Sequence, residues 1–182
     1  MRWHTGFRIP LTAFDISWMI CSYSNGHEPE FNQIEIVPII QEVIQEFETI
    51  DREGRKVELR VEGDAVPVWT DQKLFGHVLR NMVSNAFKFS PDRPSPELTL
   101  TFGKDDWKVT IKDHGIGISK EDLKSVFDPF LRAKNAMDIS GSGLGTAIVI
   151  DYMNILRGTI DMSSEEGRGT IVTLSFPFEY TP

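Results

Sequence analysis

In the run TDQKLFGHVLRNMVSNAFKFS, residues 70–90, four polar side chains recur at helical spacing: His77, Asn81, Asn85 and Lys88 fall in one narrow angular sector. Phe75, Val78, Leu79, Met82, Val83 and Ala86 fill the opposite side. A polar sector on a surface helix is, in the plain reading, a solvated face. Asparagine is a mediocre helix former, however, so two of them a turn apart are less expected than Lys or Glu. The chemical reading gives the carboxamide oxygen of Asn85 to a hard divalent cation such as Mg²⁺ and lets Lys88 reach a phosphate.

Two glycine-bearing stretches follow. In IKDHGIGIS, Asp113 stands where a strand ends, with Gly115 and Gly117 behind it. The stretch is either a plain turn or a close approach of backbone to a ligand, since each glycine costs about 0.5–1 kcal/mol in conformational freedom. A carboxylate there can accept a hydrogen bond from an exocyclic amine, which favours adenine over guanine, whose equivalent edge presents a carbonyl. In GSGLGTAIV, Gly141, Gly143 and Gly145 immediately precede a helix. Free amides and the positive end of the helix dipole make an anion site without net basic charge, against the plainer reading of a capping loop. A dinucleotide-binding fingerprint does not fit, because Thr146 stands where its third glycine is required and LRAKNAMDIS is no buried strand.

These groups need elements to hold them. VPIIQEVIQEFETID, Val37 to about Asp51, has Ile40, Val43, Ile44, Phe47 and Ile50 at helical spacing, and REG stops it. KVELRVEG alternates as a strand, and AVPVWTD reads as a second, short one. The Asn-bearing helix, about Asp71 to Phe89, is opened by Thr70 or Asp71 and closed by SPDRPSP. ELTLTFG and WKVTIKD form a hairpin; a short helix is expected near Lys120 to Val126; FDPFLRAKNAMDIS has no clear period. A helix through Leu156 and a final hairpin, GTIDMSS to TIVTLSFPF, complete the chain. Runs of strands with helices gathered between them predict an α+β sandwich, a mixed sheet covered on one face by helices.

The 182 residues suffice for one large domain, or one domain with an appendage at residues 1–30. A net charge of −8 excludes sequence-independent DNA binding, so any anionic ligand must be held locally. The single cysteine, Cys21, makes no intramolecular disulfide, and no Cys/His cluster has zinc-ligand spacing. A reducing, cytoplasmic setting is expected, whether free or as the cytosolic part of a membrane-bound sensor. The run FDISWMICSY is too short and too polar to span a bilayer.

The order of the motifs carries more than any one of them. Residues Phe31 to Pro177 resemble the catalytic ATP-binding domain of sensor histidine kinases, in the Bergerat-fold family shared with DNA gyrase, MutL and heat-shock chaperones. LRNMVSNAFKFS is similar to that family's N box, DHGIGIS to its first glycine box, FDPFLRAKN to its F box, GSGLGTAIV to its second glycine box, and GRGT to its final element. The resemblance implies a two-layer α/β sandwich with a mobile ATP lid, ATP and Mg²⁺ as cofactors, and residues 31–182 as the catalytic domain. It implies that Asn85 holds Mg²⁺, that Asn81 and Lys88 face the phosphates, and that Phe89 packs by the adenine. Asp113 would take the adenine amino group, Gly115 and Gly117 would admit the base, and Thr170 would close the pocket. Gly141, Gly143, Leu144 and Gly145 would contact the phosphates, with Arg132, Lys134 and Asn135 on the lid. Arg132, with Asn81 and Lys88, would serve phosphoryl transfer to a histidine on a helical hairpin, for relay to a response regulator.

Two departures bear on activity. The family's ATPases carry a glutamate one turn before the magnesium asparagine; Asn81 is a poor base, which implies slow hydrolysis. Thr146 replaces a leucine usual in the second glycine box. At the N-terminus, WHTGFRIPLTAF is similar to the end of a phosphoacceptor box, but the position five before Pro10 is Thr5, and His4 is one residue out of register. Residues 1–30 are therefore expected to be a truncated remnant of the phosphoacceptor segment. A nucleotide-binding module without phosphotransfer is the competing expectation.

Overall fold

The computed structural model describes residues 7–8, 28–139, 141 and 143–178. Its chemistry-bearing ends are held by a six-stranded mixed sheet: β1 (Phe7–Arg8), β3 (Glu58–Glu62), β5 (Glu97–Phe102), β6 (Asp106–Lys112), β7 (Thr159–Glu165) and β8 (Gly169–Pro177), in the spatial order β1-β7-β8-β6-β5-β3. Only β3 and β5 run parallel; every other neighbour is antiparallel. A separate ribbon pairs β2 (Asn32–Ile34) with β4 (Val68–Thr70). The short strand read in AVPVWTD is β4, whereas β2 has no counterpart in the sequence reading, because three residues are too few to show alternation. His4 and Thr5 lie outside the described residues; Phe7 and Arg8, two positions on, are extended and pair with Met162 and Asp161.

Helices cover one face. In α1 (Ile36–Ile50), Ile36, Ile40, Val43 and Ile44 form the buried stripe that the spacing predicts. In α2 (Gln72–Lys88), the N-cap is Asp71 rather than Thr70: its Oδ1 accepts from Lys73 N at 2.8 Å and Leu74 N at 2.9 Å. All six residues assigned to its apolar side are buried. A one-turn helix α3 (Lys120–Leu123) is shorter than expected, because Ser125 turns its hydroxyl onto the Asp122 carbonyl and the chain continues in turns. Helix α4 (Gly145–Ile155) packs on α2.

The sheet alternates as read. Leu98, Leu100, Trp107, Val109, Ile111, Ile160, Val172, Leu174 and Phe176 face the helices and are buried. Threonines and lysines such as Thr99, Thr110, Lys112 and Thr173 occupy the other face. The core closes around Phe75, Trp107 and Phe176, whose rings stack or tilt at 4.4–5.7 Å between centroids. These contacts fix α2 over the middle of the sheet and leave its C-terminal half beside the sheet's end.

Candidate functional site

At that end a cavity of about 290 Å³ opens between α2, the loop after β6, the lid segment and the start of α4. Strand register builds its floor. Ile111, Val172 and Met162 lie side by side across β6, β8 and β7, and all three line the cavity. One step further along the same strands the apolar row becomes polar. Asp113, Thr170 and Ser164 stand in sequence across the three strands, Ser164 paired with Thr170 and Asp113 N donating to Thr170 O at 2.9 Å. An apolar floor with a polar rim accepts a flat ring with hydrogen-bonding edges.

Asp113 is 9 % exposed. Its Oδ1 accepts from Gly115 N at 2.8 Å and Thr170 N at 3.2 Å, while no described residue donates to Oδ2. Burial pushes the Asp113 carboxyl above the usual aspartate range, against the lowering effect of those two amides and of His114. The free oxygen is an acceptor on a residue that lines the cavity.

The glycines behind Asp113 have an immediate structural cause. A Cβ on Gly115 would lie 2.0 Å from the Phe89 carbonyl oxygen, and Ile116 N already donates to that carbonyl at 2.9 Å. Gly117 has φ +62° and a Cβ there would lie 2.0 Å from the Glu165 carbonyl oxygen. The loop is thus wedged between the end of α2 and the β7–β8 hairpin, and protein backbone alone requires glycine at both positions. Gly117 lines the cavity; Gly115 acts by holding Asp113.

From α2 the cavity receives Asn81, Asn85 and Lys88, with Phe89 just beyond. Asn85 Nδ2 donates to Asn81 Oδ1 at 3.3 Å, so the two amides are ordered and the Asn85 carbonyl oxygen is the group left to coordinate. Lys88 Nζ lies 4.6 Å from the Phe89 ring centroid. Burial, and then the nearby Arg132 charge, hold the Lys88 ammonium below its usual pKa. Among the described residues neither cation is in an ion pair, so an anion would relieve both. His77, which shares their sector, is exposed a turn and more away, with its ring 5.9 Å from that of Tyr152.

The lid side supplies Leu131, Arg132, Ala133 and Ala136, and the glycine turn supplies Gly141, Gly143 and Gly145. The Arg132 guanidinium is bound to lid carbonyls, those of Ala136, Met137 and Ile139. Lys134 is exposed and anchored through its backbone N–H to Asp122 Oδ2 at 3.0 Å. Leu144 caps α4 and does not line the cavity, whereas Thr146 does and donates to the Val126 carbonyl at 2.8 Å. The threonine that departs from the usual leucine thereby ties the segment before the lid to the helix after it. Ser164, Met162 and Val172 were not singled out by sequence. Their signal was strand parity: in TIDMSS and GTIVTLSF the same-face residues run Ile160, Met162, Ser164 and Thr170, Val172, Leu174.

Among the described residues no group of three or more His, Cys, Asp or Glu side chains could hold a metal ion by itself. No helix among them is long and apolar enough to cross a membrane.

Helices over one face of a mixed sheet, and a ring-sized cavity bounded by a strand-end aspartate and a glycine-rich turn, define a nucleotide-binding α/β sandwich domain. The chain belongs to the family of histidine kinase-, DNA gyrase B- and HSP90-like ATPases, whose model matches residues 70–180. Similar curated proteins include the autoinducer 2 sensor kinase/phosphatase LuxQ of Vibrio parahaemolyticus, 36% identical over 135 residues, 69% of this chain and 16% of LuxQ. The sensor histidine kinase WalK of Bacillus subtilis is 31% identical over 156 residues, 82% of this chain and 26% of WalK. The chain therefore spans a minor part of the length of these relatives. The catalytic domain of histidine kinase ThkA shares the fold at a TM-score of 0.69 and 24% identity, covering 82% of this chain and 96% of that one. Full-length ShkA in complex with AMPPNP does so at 0.70 and 21% identity, covering 85% of this chain and 32% of that one.

Proposed function

We propose that this domain binds ATP with Mg²⁺ and donates the γ-phosphoryl group to a histidine on a helical hairpin, of its own or a partner kinase chain, for relay to the receiver domain of a response regulator. A cytoplasmic location follows from that role. The carrying observation is that one cavity gathers three groups far apart in sequence: the ordered Asn81–Asn85 pair with Lys88, the buried Asp113 with a free oxygen, and Gly141, Gly143 and Gly145 at the start of α4.

In this reading the adenine lies on Ile111, Met162 and Val172 with its amino group at Asp113, and the phosphates extend toward Lys88 and the glycine turn. One carboxamide oxygen with no carboxylate beside it fits Mg²⁺ shared with phosphate oxygens rather than a metal held by protein alone. Bound there, the metal would neutralise phosphate charge. Asn85 would hold it and Asn81 would orient Asn85. With the neutral Asn81 one turn before Asn85, that position supplies no base to activate water, and transfer rests on positioning and charge neutralisation. One observation favours a second reading, a nucleotide-binding module without transfer: the Arg132 guanidinium is occupied by lid carbonyls.

Calorimetric titration with ATP·Mg²⁺, together with incubation in γ-labelled ATP with a kinase hairpin, tests both. The proposal expects binding that Asn85→Ala and Asp113→Ala weaken at least tenfold, on the scale of one lost charged hydrogen bond, and acid-labile, base-stable label on the hairpin histidine. Binding without label supports the module, and unchanged affinity in both variants overturns the site.

A further inference from the structure

On β7, Ile160 and Met162 face the helices, and parity assigns Ser164 to the same face; opposite them on β8 stand Leu174, Val172 and Thr170. A hydroxyl pair, Ser164 with Thr170, thus ends two apolar rows. Thr170 lines the cavity and Ser164 sits behind it.

The hydrogen bonds of Ser164 fill its valences. Its Oγ donates to the Gly169 carbonyl at 2.9 Å and accepts the Ile118 N–H at 2.8 Å. The Thr170 hydroxyl lies 2.9 Å away. A serine has one proton and two lone pairs. With the Ser164 proton on Gly169 O, which can only accept, and one lone pair on Ile118 N–H, the remaining contact is a bond donated by Thr170; the reverse direction would give up the Ser164–Gly169 bond. In this arrangement the Thr170 proton is held on Ser164, and the Thr170 oxygen is left as an acceptor. Asp113 Oδ2, the other polar group of that wall, is an acceptor too.

We infer that Ser164 is a positioning residue that makes the base-recognising wall acceptor-only, by holding the Thr170 hydroxyl as an acceptor and pinning the Gly117–Ile118 loop to the β7–β8 hairpin. It rests on the nucleotide reading above. Two acceptors side by side welcome an amino group, which carries two protons, and repel a carbonyl at the same place. Without Ser164 the Thr170 hydroxyl can rotate and donate, and the wall tolerates a carbonyl.

The test compares ATP with inosine triphosphate, which has a carbonyl where ATP has the amino group and an N–H where ATP has the adjacent bare ring nitrogen. Both are titrated calorimetrically with Mg²⁺ into the unmodified domain, Ser164→Ala, Ser164→Thr, Thr170→Val and the Ser164→Ala/Thr170→Val double variant. The unmodified domain and Ser164→Thr are expected to prefer ATP. In Ser164→Ala that preference should fall about tenfold, the scale of one hydrogen bond misdirected in a buried site. In the Thr170→Val background Ser164→Ala should change the preference no further, because the serine acts through the threonine. Without nucleotide, the Ile118 amide should exchange faster in Ser164→Ala and not in Ser164→Thr. Should Ser164→Ala fail to fold, Ser164→Cys, similar in volume with a weaker donor and acceptor, gives the same comparison. An undiminished preference in Ser164→Ala, or an equal drop with and without Thr170, overturns the inference. An unmodified domain that binds neither nucleotide overturns the nucleotide reading and this inference with it.

Discussion

Asp113 carries two opposed pH dependences. Burial raises its folded pKa, so between the ordinary aspartate value of about 3.9 and that raised value the folded chain binds a proton that the unfolded chain has released. Its contribution to stability is present below the ordinary value and is lost as pH rises through the folded value, above which the buried carboxylate is a cost. Recognition of an amino group has the reverse slope, because only the carboxylate accepts through Oδ2. ADP affinity measured by calorimetry from neutral pH downward should therefore fall once pH passes the raised pKa, approaching about tenfold per unit for one proton. Asp113→Asn keeps an oxygen for the Gly115 and Thr170 amides but faces the ligand's amine with a second donor. Its affinity should drop by roughly 10- to 100-fold and lose the pH dependence, while its thermal midpoint at neutral pH stays level or rises. A flat profile in the unmodified domain would remove the carboxylate from base recognition.

Helix α2 presents its polar sector in the right place because its C-terminal end is tied down from another element. Arg55, 10 % exposed, follows α1 and donates to the Ser90 carbonyl at 2.6 Å and the Phe87 carbonyl at 3.3 Å, with its guanidinium 5.0 Å from the Phe87 ring centroid. Asp51, at the end of α1, takes the other side of the fork at 2.8 Å, and Arg55 holds its carboxyl below the usual range. That pair contributes stability present above the ordinary aspartate pKa and lost as pH falls through the lowered one. Removing the guanidinium leaves the half-buried Asp51 carboxylate without its partner and the Ser90 carbonyl without its Arg55 donor, so Arg55→Ala should cost about 1.5–3 kcal/mol in urea unfolding, and Arg55→Lys less. An Arg55→Ala loss below about 1 kcal/mol would show that the end of α2 holds itself. The sequence reading saw only a helix stop at REG, since the carbonyls that Arg55 holds lie more than thirty residues on. By contrast, the α2 sector, Asp113 at its strand end and the inward rows of β5–β8 were legible because 3.6- and 2-residue periods are local. Ser164 obeyed the same period but was a serine where only apolar residues were being sought. The lid was legible only through the family resemblance, because Arg132, Lys134 and Asn135 are held by backbone carbonyls and a carboxylate that no period announces.

At the scale of the whole chain, an acidic molecule of net charge −8 must keep an anionic ligand by enclosing it. The floor is sheet, one wall is α2, and the opposite wall is the lid, whose buried Ala136 lines the cavity. Lid and first glycine loop meet through one side chain: Asn135 Nδ2 donates to Gly117 O at 3.0 Å and Ile116 O at 3.4 Å. Asn135 is itself exposed, so it adds little to the folded core. Asn135→Ala should then leave unfolding free energy within about 0.5 kcal/mol of the unmodified domain. It should nevertheless release bound nucleotide faster, by about fivefold for one net hydrogen bond of about 1 kcal/mol lost from closure. Stopped-flow displacement of a fluorescent ADP analogue measures that rate, and the association rate should change less. Equal dissociation rates in the two proteins would mean that the lid closes without this contact. A large loss of stability would place Asn135 in the fold rather than in the gate.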